Sequence, residues 1–170
     1  MKTTTRVLLA ALLCTAAVAC SKKVREEAPV DTGPSTGTVA PTAPTAGAYG
    51  PNDLDSDACL RQRVVYFDFD QESLRPEFQA AMACHAKYLR DRQSARITLE
   101  GNADERGSRE YNLGLGERRG NAVSSALQAQ GGSGTQLTVV SYGEERPVCT
   151  ETSEDCWARN RRVEIVYTAR

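Results

Sequence analysis

Residues 101–120, GNADERGSREYNLGLGERRG, place acids and arginines around a turn between a predicted strand and a predicted helix. Asp104 lies in the turn itself, and Arg119 lies well inside the helical stretch that follows. A carboxylate can bind an ammonium group, and the planar guanidinium of an arginine can bind a carboxylate through two parallel hydrogen bonds, which lysine does poorly. The segment therefore predicts a recognition surface for a zwitterion.

Strand-like and helix-like segments alternate along residues 53–170, which have the length of one ordinary domain. A helix that begins near Pro76 extends to about Arg92 with apolar residues at helical spacing, and a second helix over 108–130 ends at the glycine-rich residues 131–134. Four segments predict strands: residues 63–69, 95–101, 136–142 and 162–168. This order predicts an α/β (α+β) two-layer sandwich with two main helices on one face of the sheet.

Residues 1–19 predict a signal peptide that is removed. Lys2 and Arg6 precede an apolar stretch, residues 7–19, that is too short to span a bilayer. Residues 18–20, Val-Ala-Cys, resemble the lipobox of bacterial lipoproteins, which implies cleavage before Cys20 and lipidation of that residue. Ser21 at the next position favours the outer membrane, so the predicted location is an outer-membrane lipid anchor with the domain in the periplasm. An ordinary secretory peptide is the alternative.

The segment after the signal peptide, residues 20–52, predicts a lipidated N-terminus followed by a disordered linker. It consists largely of Pro, Thr, Ala and Gly, and such a composition buries too little apolar surface to offset the entropy of ordering. Loss of residues 1–19 removes two basic residues and none of the 22 acidic ones, so the mature chain is mildly acidic. The sequence contains no basic stripe of the kind that would predict binding to nucleic acid.

Four cysteines remain once Cys20 is lipidated, and an even number in an exported protein predicts disulfides. Cys149 and Cys156 flank a short acidic loop and form the natural local pair, which leaves Cys59 with Cys84. Three connectivities are possible, so this pairing rests on proximity. A metal site is the rival, but the chain has one histidine and no C-x-x-C spacing. We therefore expect no metal and no cofactor.

Four motifs in one order carry a resemblance to a known family. They are VYFDFD at 65–70, GNADERGSREYNLGLGERRGNAV at 101–123, SYGEERP at 141–147 and NRRVEIVY at 160–167. Together they are similar to the OmpA C-terminal-like, peptidoglycan-binding family, most of all to its peptidoglycan-associated lipoprotein branch. The family pattern has His at the position of Asn102 and usually Ala at the position of Gly120. The resemblance implies a four-stranded mixed sheet.

The resemblance also implies a site for the meso-diaminopimelate of the peptidoglycan stem peptide. In the matched motif Asp104 would accept the ammonium of the distal centre, and Arg119 would hold the carboxylate of the same centre. Phe69 and Asp70 match the lip of the family pocket. The wall of that pocket is matched by Ser108, Asn112 and Leu115.

Two partners follow from the same resemblance. One is peptidoglycan itself, and the other is a TolB-like β-propeller protein of the Tol system, which in the family competes with the wall for the same face. The predicted function is thus an outer-membrane lipoprotein that tethers the membrane to the cell wall, as part of the Tol-Pal system in envelope integrity and cell division. A wall-binding OmpA-like lipoprotein without a Tol partner is the alternative.

Other interpretations of these residues remain open. Asp104 also fits a capping carboxylate at a helix N-terminus, and Arg119 fits a surface ion pair with Glu117 or Glu105. We expect Arg161 and Arg162 to pair with acids along the sheet edge or with Glu144 and Glu145.

An enzyme is not expected, because a single histidine on an apolar helix face offers no Ser-His-Asp or Cys-His arrangement. A cell-wall hydrolase that uses two carboxylates is the remaining enzymatic alternative. Nearby arginines would keep both carboxylates ionised, whereas its acid needs a raised pKa. The candidate carboxylates are Asp68, Asp70, Asp104 and Glu105.

Overall fold

Four strands form one mixed sheet. A computed structural model describes residues 47–170, so the predicted signal peptide and Cys20 lie outside the described residues. The strands are β1 (Val64–Tyr66), β2 (Arg96–Asn102), β3 (Leu137–Gly143) and β4 (Arg162–Ala169), in the order β1-β4-β2-β3. Strands β2 and β3 are parallel, while β4 is antiparallel to both β1 and β2.

Two long helices cover one face of this sheet, so the predicted two-layer sandwich is confirmed. Helix α2 (Gln79–Asp91) follows a 3₁₀ turn at Pro76–Phe78, and helix α3 (Arg109–Ala129) follows the capping residue Ser108. Alternate residues of the central strands point to the helices and pack against the apolar faces of α2 and α3 to form the core. It includes Ile97, Leu99, Val163, Ile165, Met82, Leu89, Val123 and Leu127. No helix within residues 47–170 is long and apolar enough to cross a membrane.

Two short helices were not predicted. Helix α1 (Asp53–Ser56) precedes β1, and helix α4 (Glu154–Asn160) occupies part of the stretch predicted as an acidic loop. Ser153 caps α4, since its hydroxyl accepts a hydrogen bond from the backbone of Cys156. The signal for α4 was therefore present as a serine followed by Glu154 and Asp155, which favour the positive end of a helix.

Strand β1 is shorter than predicted, because the chain leaves the sheet after Tyr66. The backbone N–H of Phe67 still bonds to the carbonyl of Arg161, but residues 68–75 then turn away. The β-branched and aromatic residues 64–67 predicted a strand that continues to Phe69, yet residues 68–75 form a loop beside α3. This loop supplies one wall of the site described below.

Both predicted disulfides are present in the structure. Cys59–Cys84 joins the segment before β1 to α2, and Cys149–Cys156 joins the loop after β3 to α4. Residues 49–52, predicted as linker, also contact the domain, because Tyr49 is buried against Tyr88 of α2. The backbone N–H of Tyr49 donates to the carboxylate of Asp91 at 2.9 Å. The packed region thus begins before residue 53.

Helix α3 lies so close to β2 that the contact tolerates no side chain at Gly101. A Cβ on Gly101 would lie 1.9 Å from the carbonyl oxygen of Gly116. Because that oxygen belongs to the helix backbone, the whole helix would have to move away from the sheet. The close approach brings the start of α3 over the end of β2.

We expect Gly101→Ala to lower the free energy of unfolding by about 3 kcal/mol, since the clash is with backbone and not with a flexible side chain. Urea unfolding followed by circular dichroism measures the change. The matched control is Gly114→Ala on α3, where the nearest atom is the guanidinium of Arg118 at 3.3 Å. This control should keep or gain stability, because Ala favours a helix by about 1 kcal/mol over Gly. Equal effects of the two variants would contradict the proposed close contact.

A fully buried histidine joins α2 to the last strand. The Nε2–H of His85 donates to the carbonyl of Gln62 at 3.0 Å, and its Nδ1 accepts from the hydroxyl of Tyr167 at 2.8 Å. Burial lowers the pKa of His85 to about 4, although the bond to the Gln62 carbonyl opposes this change. The imidazole is therefore neutral at physiological pH and serves the core.

This burial predicts a loss of stability in mild acid. Between pH 6.5 and pH 4 the unfolded chain protonates His85 and the folded chain does not, so falling pH favours unfolding by up to about 1.4 kcal/mol per pH unit. From pH 7 to pH 5 the wild type should lose about 2 kcal/mol more than His85→Gln, whose amide can replace both hydrogen bonds. Urea unfolding at the two pH values tests this. The same pH dependence in both proteins would show that His85 titrates normally.

Candidate binding site

A cavity of about 240 Å³ lies between the loop after β1, the turn after β2 and the first turns of α3. Every predicted ligand-binding residue except Ser108 lines it. The structure adds Arg106, Gly107 and Tyr111 to the predicted set. The lining consists of Phe69, Asp70, Asp104, Arg106, Gly107, Tyr111, Asn112, Leu115 and Arg119.

Ser108 does not line the cavity but positions the helix that does. Its hydroxyl accepts a hydrogen bond from the backbone N–H of Tyr111 at 3.2 Å and so caps α3. The cap starts the helix at the point that places Tyr111, Asn112 and Leu115 along the cavity wall. The Asn112 amide is held in turn, because it donates to the carboxylate of Glu144 in the SYGEERP segment.

Asp104 is a buried carboxylate at the floor of the cavity. Its Oδ1 accepts from the backbone N–H and the Nε of Arg106, at 3.0 and 3.1 Å. Its Oδ2 accepts from Nη2 of Arg106 at 2.7 Å and from Nη1 of Arg161 at 3.2 Å. Burial alone would raise the pKa of Asp104, but these hydrogen bonds outweigh it and hold the pKa below its ordinary value.

These contacts decide two of the open interpretations. Asp104 is not the cap of α3, since Ser108 has that position and the Asp104 oxygens face arginines. Arg161 does not pair with sheet-edge acids, Glu144 or Glu145; its ion pairs are with Asp104 and Glu154. The expected partner of Arg161 was wrong because α4, which supplies Glu154, was not predicted. Arg162 does pair with an acid of the sheet, Glu164 of β4.

Arg119 is fully buried, and its guanidinium donates to three backbone carbonyls. Nε reaches Gln71 at 2.8 Å, Nη1 reaches Asn102 at 3.0 Å and Nη2 reaches Asp68 at 3.1 Å. A surface ion pair with Glu117 or Glu105 is therefore wrong. Burial lowers the pKa of Arg119 to about 10, so the group stays charged at neutral pH. A guanidinium has five N–H donors, which leaves two for a ligand.

A third arginine, Arg106, closes the side of the cavity. Its guanidinium contacts two aromatic rings, with Cζ 4.0 Å from the centroid of Phe69 and 4.2 Å from that of Trp157. Glu154 lies 3.3 Å from its Nη1. Trp157 is oriented by a 3.0 Å hydrogen bond to Glu105. Arg106 lies in the segment predicted as a recognition surface, but its contact with Trp157 could not be predicted, because it depends on the position of α4.

The lip of the cavity is formed by Phe69 and Asp70. Phe69 is 54% exposed, and Asp70 has a φ of 56°, an uncommon conformation for a residue other than glycine. The hydroxyl of Tyr111 donates to the Asp70 carboxylate and links the lip to α3. The observed strain lies at the mouth of the cavity, where such backbone geometry often has a functional reason.

The cavity thus combines a buried carboxylate and a buried guanidinium with apolar walls from Phe69 and Leu115. Such a set can hold a ligand that carries an ammonium and a carboxylate on a short apolar chain. Within residues 47–170, no three His, Cys, Asp or Glu side chains come close enough together to bind a metal ion.

Comparison with known proteins agrees with this geometry. The model of the OmpA family matches residues 66–161, which include every lining residue of the cavity. The chain belongs to the OmpA family. A peptidoglycan-associated lipoprotein of Pseudomonas putida is 46% identical over 91% of this chain and 92% of its own length. One of Pseudomonas aeruginosa is 49% identical over 72% of this chain and 76% of its own.

A solved structure supports the same branch of the OmpA family. The crystal structure of the peptidoglycan-associated lipoprotein from Burkholderia pseudomallei superimposes with a TM-score of 0.67 at 43% identity. It covers 68% of this chain and 98% of the chain in that structure. Fold and sequence together therefore identify this chain as a member of the peptidoglycan-associated lipoprotein branch.

The departure from the family pattern at Asn102 lies behind the cavity and not in it. The side chain of Asn102 is buried, and its Nδ2 donates to the carbonyl of Glu100 at 3.0 Å. Its Oδ1 has no hydrogen-bond partner among the described residues. What reaches the site is the Asn102 carbonyl, which accepts from Arg119. The replacement of His by Asn thus leaves the lining of the cavity intact.

We expect Arg119→Ala to lower the free energy of unfolding by about 3 kcal/mol, because three partly buried carbonyls lose a charged donor. Thermal and urea unfolding measure the loss. The matched control is the adjacent Arg118→Ala, since Arg118 is exposed and its carboxylate partner Glu72 is 3.8 Å away. This control should change stability by less than about 0.5 kcal/mol. An equally small change in Arg119→Ala would contradict a structural role for Arg119.

Proposed function

We propose that this protein binds peptidoglycan non-covalently and grips the meso-diaminopimelate residue of its stem peptide in the cavity. The observation that carries the proposal is the presence of Asp104 and Arg119 in one cavity with apolar walls. The distal centre of diaminopimelate carries an ammonium and a carboxylate on a short methylene chain. Each of these groups then has a complementary partner in the cavity.

The ammonium would bind the carboxylate of Asp104, whose low pKa keeps it ionised. The carboxylate would accept the two remaining N–H donors of Arg119, which is charged and has no ion pair to a carboxylate among the described residues. The methylene chain would contact Leu115 and Phe69. Asp70 and Tyr111 would close the mouth over the bound group.

The proposed role is binding without catalysis. A glycosidase needs one carboxyl with a raised pKa, whereas hydrogen bonds from two arginines lower the pKa of Asp104. The only histidine of the chain, His85, contacts Gln62 and Tyr167 in the core and does not line the cavity. These two observations weigh against both a hydrolase and a histidine-dependent nucleophile.

The wall-binding domain would be attached to the membrane through Cys20. The relatives named above are lipoproteins, which supports lipidation of this chain at its lipobox-like residues 18–20. Ser21 favours sorting to the outer membrane. The segment after it would then let the domain reach the wall from that membrane, with the acyl chains as the anchor. The protein would thereby tether the outer membrane to peptidoglycan.

A second partner would be a TolB-like β-propeller protein, and the chain would then belong to a Tol-Pal system for envelope integrity and cell division. The start of α3 offers a surface for it, because Tyr111 and Leu113 are exposed large side chains beside the cavity. A partner on that surface would cover the cavity mouth and compete with the wall. The alternative is a wall-binding lipoprotein without such a partner.

Sedimentation with purified sacculi tests the proposed ligand. The protein is residues 20–170 with Cys20→Ser, so that no acyl chain contributes to binding. Sacculi with diaminopimelate should carry it down, while sacculi with lysine at the same position should not. Asp104→Asn should weaken binding by about tenfold or more, because the ammonium loses its charged partner. Asp155→Asn, which removes one exposed acid outside the cavity, is the matched control.

Failure of the folded wild type to bind either kind of sacculus would overturn the wall-binding proposal. If wild type and Asp104→Asn bind equally, the ligand does not use this cavity. The Tol partner is tested by adding the purified β-propeller protein to the same assay. Release of the domain from sacculi would support the shared surface, and simultaneous binding would contradict it.

A further inference from the structure

Asp104 has no free acceptor position in the structure. A carboxylate offers about four lone-pair sites, two on each oxygen. In Asp104 two are filled on Oδ1 and two on Oδ2, by three donors of Arg106 and one of Arg161. An ammonium can therefore bind this carboxylate fully only if a protein donor leaves it.

Of the two arginine side chains on Asp104, only Arg106 is placed to move. The Arg161 side chain is 6% exposed, and it also donates to the carbonyl of Phe67 at 3.1 Å and to Glu154 at 2.7 Å. The Arg106 side chain is 29% exposed and lines the cavity. Its guanidinium contacts Glu154 and two aromatic rings, and within residues 47–170 it donates to no backbone carbonyl.

Several contacts of the Arg106 side chain do not involve Asp104. Its guanidinium lies 4.0 Å from the ring centroid of Phe69 and 4.2 Å from that of Trp157, and Glu154 lies 3.3 Å from its Nη1. Trp157 and Glu154 both belong to α4, which the Cys149–Cys156 disulfide links to the loop after β3. These contacts can hold the guanidinium near the cavity after it leaves the Asp104 oxygens.

Within the ion pairs that involve Asp104 and Glu154, the charges are balanced before a ligand binds. Two carboxylates, Asp104 and Glu154, face two guanidinium groups, Arg106 and Arg161. A ligand that brings only an ammonium adds a positive charge beside a guanidinium that has just lost its partner. A ligand that brings an ammonium with an adjacent carboxylate restores the balance, since the freed Arg106 can bind that carboxylate.

We propose that Arg106 is the specificity-determining residue of this cavity: it occupies the ammonium position on Asp104 and leaves only for a ligand whose carboxylate can take its place. The inference rests on the proposed function and adds a selection rule to it. Zwitterionic chain ends such as the distal centre of diaminopimelate are accepted, and simple amine ends such as that of lysine are rejected. Arg119 binds the carboxylate from the floor, and Arg106 binds it from the side.

The test compares two soluble ligands on three variants. The ligands are stem tetrapeptides that differ only in diaminopimelate or lysine at the third position, and isothermal titration gives their dissociation constants. Arg106→Gln removes the competing charge, Arg106→Lys keeps a charge, and Arg109→Gln removes an exposed arginine that pairs with Glu145 outside the cavity. Urea unfolding of each variant shows that it is folded.

The expected readout is the ratio of the two affinities, because a general loss of structure weakens both ligands alike. Wild type and Arg109→Gln should prefer the diaminopimelate peptide strongly. In Arg106→Gln this preference should fall by about tenfold or more, chiefly because the lysine peptide binds better. Arg106→Lys should retain most of the preference, since the charge at this position is what rejects the amine.

The outcomes separate this inference from the function on which it rests. If wild type binds neither peptide, both the wall-binding function and the selection rule are overturned. If wild type prefers diaminopimelate and folded Arg106→Gln keeps the same preference, the function stands and the role of Arg106 is refuted. If Arg106→Gln loses affinity for the diaminopimelate peptide alone, Arg106 is a plain ligand contact and not a competitor for Asp104.

Discussion

The guanidinium of Arg119 is the interaction on which the site depends. It is carried by α3, and it donates to carbonyls at the end of β2 and in the loop after β1. Three segments that are distant in sequence thus meet on one planar cation. These hydrogen bonds fix the backbone of the loop that carries Phe69 and Asp70, because residues 68–75 belong to no strand.

The same cation explains why a polar cavity can be stable in a domain of this size. A buried charge is costly unless hydrogen bonds replace its hydration, and Arg119 receives that replacement from neutral carbonyls. Its positive charge is then not cancelled by a carboxylate bonded to it. Asp104 is arranged differently, because two other arginines surround it. The cavity therefore contains a buried cation, Arg119, with two N–H donors still available, and a buried anion, Asp104, whose acceptor positions are all occupied.

Much of this architecture was predictable, and the errors have a common physical cause. Alternating and β-branched apolar residues predicted the strands, and apolar residues at helical spacing predicted α2. The glycine-rich residues 131–134 predicted the end of α3. Strand β1 ended early because its last residues contact α3 rather than a neighbouring strand. Asp104, Arg119 and the lip were predicted from motifs, whereas Arg106 and Trp157 were missed. Their stacking depends on the position of α4, which is set by long-range contacts and a disulfide.

The Cys59–Cys84 disulfide determines how the domain carries mechanical tension. Tension applied to the chain at residue 47 first reaches Tyr49, which is packed on α2, and then the covalent bond from Cys59 to Cys84 in the same helix. Strand β1 lies between these two cysteines in sequence and pairs only with β4, at the edge of the sheet. Pulling from the N-terminal side is therefore borne by α2 and the core, and the edge strand is shielded from being peeled away.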